Sequence, residues 1–446
     1  MGSKLPFLRH ANIDPVREIE LSADSLIQSL LGIALSSPVS ILDSCGVGHG
    51  ESRLLVAGIH PTKSEQIFDL QAAIARVEDI AFSNRPAIFT LSYEFGRFLQ
   101  NIQSRHKVSN EPLVYIAEFD NLLIHDYSSG TSLILGEESK VSNIEYELKW
   151  AKFAANETST AGQITSDFSK MEYLFAIEHI KEQIRSGNTY QTNVTRQINS
   201  AVPGSLSPES IFWRLRKNHP APFSAFIKRP DSTVISASPE RFFKLEEGNI
   251  SAAPIKGTRP RGSTAASDAR LRAELVNSEK DRAENTMIVD LLRNDLGRIC
   301  DFGSVKVDQL CRIEEHPSLF HLVSTISGRV RKGVRFPEIL AALFPCGSIT
   351  GAPKLSTMKI IDKVEKSPRG LSMGAIGYRI PASFGLGEVL DLSVAIRTMV
   401  IQDGVARFNV GGGIVIDSGP AEEWDETVVK SIALLNALGI NHIQEP

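Results

Sequence analysis

A single amine, Lys256, stands in residues 254–262, PIKGTRPRG, among two prolines, two glycines and two arginines. Such a support suits nucleophilic chemistry: prolines fix φ, and the lone Gly257 leaves one joint with which to aim the amine. Without context, the plainer reading is a lysine paired with a carboxylate. Carboxylates are the second theme. Glu284 lies in DRAENTMIVDLLRNDLGR, three and four residues before Met287 and Ile288, on the apolar face that continues through Leu291 and Leu292. Alone it reads as half of a structural salt bridge to Arg282 or Arg293, since an inward charge needs a partner. Glu423, Glu426 and Lys430 follow at i, i+3 and i+7, either a solvated stripe with an i,i+4 pair or part of an acidic site. Just before them Gly411, Gly412 and Gly413 offer close backbone approach and N–H groups to an anion. Hard carboxylate oxygens with neither His nor Cys suit Mg²⁺, which one or two carboxylates and an anionic substrate hold together.

These residues need elements to carry them. SKMEYLFAIEHIKEQIRSGN predicts a helix, with Ser169 as N-cap, Leu174, Ile177, Ile180 and Ile184 on one face and Gly187 as its stop. TVISASPERFFKLEEGNISAAPIKG predicts strands joined at EEGN, which puts Glu240 and Lys256 on or near a sheet. TMVIQDGVARFNV predicts a hairpin turning at Asp403-Gly404. The segments around Glu284 and from Pro420 onward read as helices, the second with proline in its first turn. Strands and long helices alternate without a regular βαβ rhythm, so the class is α+β. Ser, Thr and Gly accumulate at 156–170, dividing a region 1–165 from a region 166–446. ILDSCGVGHGE in the first region has three alternate glycines but neither a dinucleotide nor a P-loop spacing, and reads as a turn.

The chain has 446 residues, 48 Lys and Arg against 52 Asp and Glu, and a net charge of -4, which gives no basic footprint for nucleic acid. The four cysteines, Cys45, Cys300, Cys311 and Cys346, show no CxxC pair, so free thiols in a reducing compartment are expected. The first twenty residues lack the apolar core of a signal peptide, and no apolar run approaches the roughly 20 residues that span a bilayer. A cytosolic protein without a membrane partner is expected.

Taken in order, SGNTYQTNVTR, SASPERF, PIKGTRPRG, DRAENTMIVDLLRNDLGRIC, FHLVSTISG, PCGSITGAPK, RGLSMGAIGY, DLSVAIRT and GGGIVIDS…EEWDET resemble the chorismate-utilising enzymes over residues 170–437. The resemblance implies an anthranilate synthase component I-like fold, two β-sheets packed face to face with helices outside. It implies Mg²⁺-dependent substitution on chorismate, with Glu284, Glu423 and Glu426 as metal ligands and the metal on the ring carboxylate. Arg397 and the backbone of Gly413, with Gly412 beside it, are implied for the enolpyruvyl carboxylate, and a planar guanidinium suits that task. Thr258, Ser348 and Ser372 are implied at the substrate, and His321 near the reacting ring. Glu240 matches a general acid for the departing C4 hydroxyl. Taken alone, Glu240 reads as an ion pair with Arg241 and His321 as a core histidine. Where relatives have a tyrosine against the enolpyruvyl carboxylate, this chain has Ser372, whose reach is shorter. ILDSCG falls where relatives line a tryptophan pocket, which makes region 1–165 a candidate for one.

Two positions sort the family by nucleophile. Members that add water carry a lysine where this chain has Gln191, which disfavours them. Anthranilate synthases usually have alanine in the PIxGT loop, leaving C2 open to ammonia, whereas Lys256 matches the branch that aminates C4. There the lysine amine, unprotonated, attacks C2 while Glu240 helps expel the hydroxyl, and ammonia then attacks C4 and releases the lysine. Cys45 lacks the surroundings of a glutamine amidotransferase nucleophile, so ammonia is expected from a separate amidotransferase subunit. A chorismate- or tryptophan-binding regulator without turnover is the alternative of another class.

Overall fold

The structure is a computed structural model that describes residues 16–47, 53–106, 109–315 and 319–440. The signal-peptide reading of the first residues and the end of the ILDSCGVGHGE stretch therefore lie outside the described residues. Two sheets form the body, one of twelve strands and one of ten, joined strand to strand by antiparallel pairs. They pack face to face, as the resemblance implied. Along Phe223–Lys228 the side chains alternate: Ala225 and Ile227 enter an apolar layer shared with Ile88, Tyr115 and Ile376 of the other sheet. Phe226 instead joins Leu26, Ile211 and Phe212 of helices on the outer face. The second sheet repeats this, with Ile88 turned inward and Phe89 and Leu91 outward against the helix Phe336–Leu343. Period-two alternation over two apolar faces therefore makes a helix, sheet, sheet, helix stack.

Both sheets draw strands from either side of residue 165. Ile41 pairs with Phe226 in one sheet, and Phe89 with Gly377 in the other. The N-terminal residues are thus laced into the same two layers that carry the site.

Local signals account for the elements that matter. The helix Lys170–Arg185 starts at a capping box in which Ser169 and Glu172 each accept the other's backbone N–H. Asp403 and Gly404, with φ of 51° and 69°, make the tight turn between Thr398–Gln402 and Val405–Ile414. The helix Pro420–Ala437 begins on Pro420 and packs on Val405–Ile414, while Glu279–Gly297 packs on Ile255–Pro260 and Leu319–Arg329. Within Glu279–Gly297, Ile288 and Leu292 of the expected apolar face are buried, Met287 and Leu291 are only half-buried, and Val289 and Leu296 complete the buried stripe instead. Among the described residues no helix is long and apolar enough to cross a membrane.

Candidate active site

Lys256 lies on the strand Ile255–Pro260, where the ladder to Leu319–Arg329 skips. Ile255 pairs with Val323 and Thr258 with His321, so Lys256 and Gly257 together face the single residue Leu322. This two-for-one pairing is a β-bulge with glycine in the left-handed region, φ 76°. A Cβ on Gly257 would stand 2.8 Å from Leu275 and 2.9 Å from Asp281, so both the conformation and the space require glycine. The expected flexible joint is therefore a fixed kink that re-aims the lysine. Among the described residues Lys256 makes no ion pair and no side-chain hydrogen bond. Arg259, three residues on, is held by Asp281 at 3.0 Å. One pair further along the ladder, Thr258 Oγ1 lies 2.9 Å from His321 Nδ1, joining two expected site residues.

Glu284 faces this bulge from the adjoining helix. Burial raises its pKa; the charges of Lys256 and Lys280 oppose that rise, and Asp281 and Glu426 add to it. The salt bridges to Arg282 or Arg293 that its sequence alone allowed do not form; Arg293 reaches Asp290 instead. Glu423 is buried on the helix Pro420–Ala437, and its pKa is raised by burial and, against a hydrogen bond from Ser418, by Glu426. Glu426 is half exposed and bonded to Lys430 at 2.6 Å, so the i,i+4 pair and the inward acid occur on the same stripe. A Cβ on Gly412 would stand 2.7 Å from Glu423 Oε2 and 3.5 Å from Glu426 Oε1, so glycine there lets the carboxylates lie against the strand. Among the described residues no three His, Cys, Asp or Glu side chains close on one point as a complete metal cage. Glu426 nevertheless helps to raise the pKa of both Glu284 and Glu423, so carboxylates from the two helices approach one another.

The remaining residues gather on neighbouring loops. Glu240 is buried, and its backbone carbonyl accepts from Val394 N–H at 3.0 Å, three residues before Arg397. Arg241, its expected partner, is instead taken by Asp391 through two hydrogen bonds of 3.0 and 3.2 Å. Arg397 has φ 49°, and its backbone carbonyl accepts from Ala237 N–H at 3.0 Å, but among the described residues its guanidinium has no carboxylate or hydrogen-bond partner; burial alone lowers its pKa. A half-buried guanidinium without a partner suits an anion. Its loop is tied to the Ser372 loop by Met373 N–H to Ala395 O and Ala395 N–H to Gly374 O, both 2.9 Å. The Ser372 hydroxyl accepts from Asn409 N–H at 3.2 Å, so it is anchored on the Val405–Ile414 strand. Ser348 lies on the turn Gly347–Ile349 with Cys346 Sγ 3.3 Å away, and Glu240 helps raise the Cys346 pKa to about 11, after burial. Gly413 is covered by Gln191, whose Nε2 would stand 2.0 Å from a Cβ there.

Sequence reading missed the residues that clamp these loops. Glu365 Oε1 accepts from Thr195 N–H and from Arg369, whose guanidinium also reaches Ile349 O and Asn193 O. Lys354 Nζ donates to Asp295 at 2.7 Å and to Leu343 O at 2.8 Å. Both clusters fall inside or beside quoted motifs, but their partners are distant in sequence. Leu42, Asp43 and Ser44 of ILDSCG line a cavity of about 40 Å³ with Phe223, Tyr378 and Asp391, room for roughly three waters. Burial, then Asp43, pushes the Cys45 thiol up to about 12, which disfavours the thiolate.

Residues 45–436 match the family described as chorismate binding enzyme. The chain belongs to that family. It is 34% identical over 369 residues to aminodeoxychorismate synthase component 1 of Bacillus subtilis, covering 80% of this chain and 77% of the relative. It is also 36% identical over 376 residues to an anthranilate synthase component 1 of Haloarcula marismortui, covering 79% and 75%. In structure it is similar to anthranilate synthase component I from Streptococcus pneumoniae, with a TM-score of 0.76 at 23% identity over 87% of this chain and 93% of that one. The family member is thus an enzyme of the expected fold, and the choice between its reactions rests on the site.

Proposed function

We propose that this chain is the synthase component that aminates chorismate at C4, giving 4-amino-4-deoxychorismate for 4-aminobenzoate synthesis, with ammonia from a glutamine amidotransferase partner. The observation that carries the reading is Lys256 itself, an amine set out of register on a glycine bulge, without an ion pair, facing Glu284. Relatives with the same printed activity support it. Glu284, Glu423 and Glu426 would hold Mg²⁺, which when bound would neutralise charge on the ring carboxylate and so favour loss of the C4 hydroxyl. Arg397 supplies the planar fork for the enolpyruvyl carboxylate, and Ser372 and Ser348 line the same loops. Lys256 Nζ forms a bond to C2, the two ring double bonds shift, and the C4–O bond breaks. The oxygen leaves as water with the proton of Glu240, while the lysine nitrogen gives up its own proton. Ammonia then bonds to C4 and gives up a proton, the double bonds shift back, and the C2–N bond to Lys256 breaks as the lysine nitrogen takes a proton back and leaves as the free amine. Aiming the amine by a bulge removes much of the entropy of reaching C2.

The test is product identity from purified protein, chorismate, Mg²⁺ and an ammonium salt, read by chromatography with mass detection. Aminodeoxychorismate, convertible by an added lyase to 4-aminobenzoate, supports the reading. Anthranilate refutes it in favour of C2 amination, and absence of product with an amidotransferase subunit present points to a binding regulator.

A further inference from the structure

We propose that Asn285 is a positioning residue: its buried carboxamide fixes the rotation of the helix Glu279–Gly297 and so holds the Glu284 carboxylate toward the Lys256 bulge. This rests on the reading that Glu284 and Lys256 act together. Asn285 follows Glu284 directly, about 100° around the helix, and is fully buried, as is Ser324. Its Oδ1 accepts from the Ser324 hydroxyl, and its Nδ2 donates to Leu322 O at 3.4 Å. The same Ser324 oxygen accepts from Cys311 N–H at 2.8 Å, at a point where Cys311 has φ 52° and the pairing of Lys306–Glu315 with Leu319–Arg329 slips. Ser324 N–H donates to Pro254 O at 3.2 Å, two residues before Lys256. One amide thus ties the helix to the strand, and the strand is tied to the bulge.

Besides the Asp281–Arg259 ion pair at 3.0 Å in its first turn and the Cys311 thiol near Asn285 Oδ1 and Arg282 O, this helix meets the sheet through the apolar side chains Ile288, Val289, Leu292 and Leu296. Apolar packing is non-directional and leaves a helix free to roll slightly. A hydrogen bond buried at zero exposure sets a direction, and leaving either partner unmade is costly. Asn285 touches no substrate; it acts through its neighbour.

The test uses Asn285→Ala, Ser324→Ala and the double variant of the full chain. The second removes a single hydroxyl, so it retains the fold if the first does not. Mg²⁺ affinity is read by calorimetry at saturating chorismate, alongside kcat, the chorismate KM and the melting temperature. Each single variant is expected to lower kcat by roughly 10- to 100-fold with a much smaller change in KM, and to weaken Mg²⁺ binding about tenfold. Because both act through one bond, the double variant is expected to be no worse than the poorer single. Undiminished Mg²⁺ affinity, multiplying single effects, or a loss seen only in melting temperature would overturn the proposal. If the wild type makes no aminodeoxychorismate, the proposed function falls while the Mg²⁺ titration still decides the role of Asn285. A wild type that binds no Mg²⁺ overturns it as well.

Discussion

Two pairs of like residues behave in opposite ways in this molecule. Lys354 and Arg369 are buried and saturated: Lys354 bonds Asp295 and two carbonyls, and Arg369 bonds Glu365 twice and two further carbonyls. Lys256 and Arg397 sit only a few elements away with no such partners among the described residues. A fold that saturates one lysine and one arginine can saturate the others too. Where it leaves charges unmatched, their partners are expected to arrive with the substrate, and unmatched charge is the physical mark of the site.

That contrast can be broken by substitution. Lys256→Ala should abolish C4 amination, on the order of a thousandfold or more, with the melting temperature held; unchanged C4 amination in this variant would sink the covalent route. Glu284→Gln should nearly abolish Mg²⁺-dependent turnover without destabilising the fold. Its folded pKa is raised above the usual 4.5, so the ionised form burdens the fold only as pH rises past that value. The variant should therefore melt no lower than wild type at pH 8, and a lower midpoint there would mean a structural role.

Arg397→Leu should raise the chorismate KM by roughly 10- to 100-fold, the loss of one charge-assisted pair, at equal or higher thermal stability. Steady-state kinetics showing an unaltered KM would remove Arg397 from the carboxylate. Lys354→Met reverses the pattern: it should cost about 3–5 kcal/mol of stability by leaving Asp295 buried and unpaired. Denaturant unfolding with an unshifted midpoint would show that saturation there means nothing.

The smallest effect is expected beside Arg369, whose pKa Glu94 helps to raise. Burial pushes the Glu94 carboxyl up to about 7 against 4.5 unfolded, so its burden is absent below pH 4.5 and complete above 7. Glu94→Gln should raise the melting temperature at pH 8 and leave it unchanged at pH 4; equal shifts at both would exclude titration as the cause.

The residues proposed to react stand out in the sequence because they fall in short, dense motifs. Helix bounds were legible too, since Ser169, Gly187 and Pro420 signal locally, although the capping-box role of Glu172 was not read. The partners that decide their states were not. Arg241 finds Asp391 across 150 positions, and the bulge at Lys256 exists only relative to His321 and Val323 on another strand. The interleaving of residues before 165 into both sheets was equally hidden, because strand order is a property of pairing and not of periodicity.

The extra residue in the Ile255–Pro260 strand also frees one position from the scaffold's demands. Lys256 contributes no cross-strand pair, so its identity is open to change while the ladder, the glycine kink and the neighbouring helix stay as they are. Under the proposed mechanism, exchanging the side chain there would alter which carbon receives nitrogen without refolding anything, so one architecture could house diverging biosynthetic branches separated by a single codon.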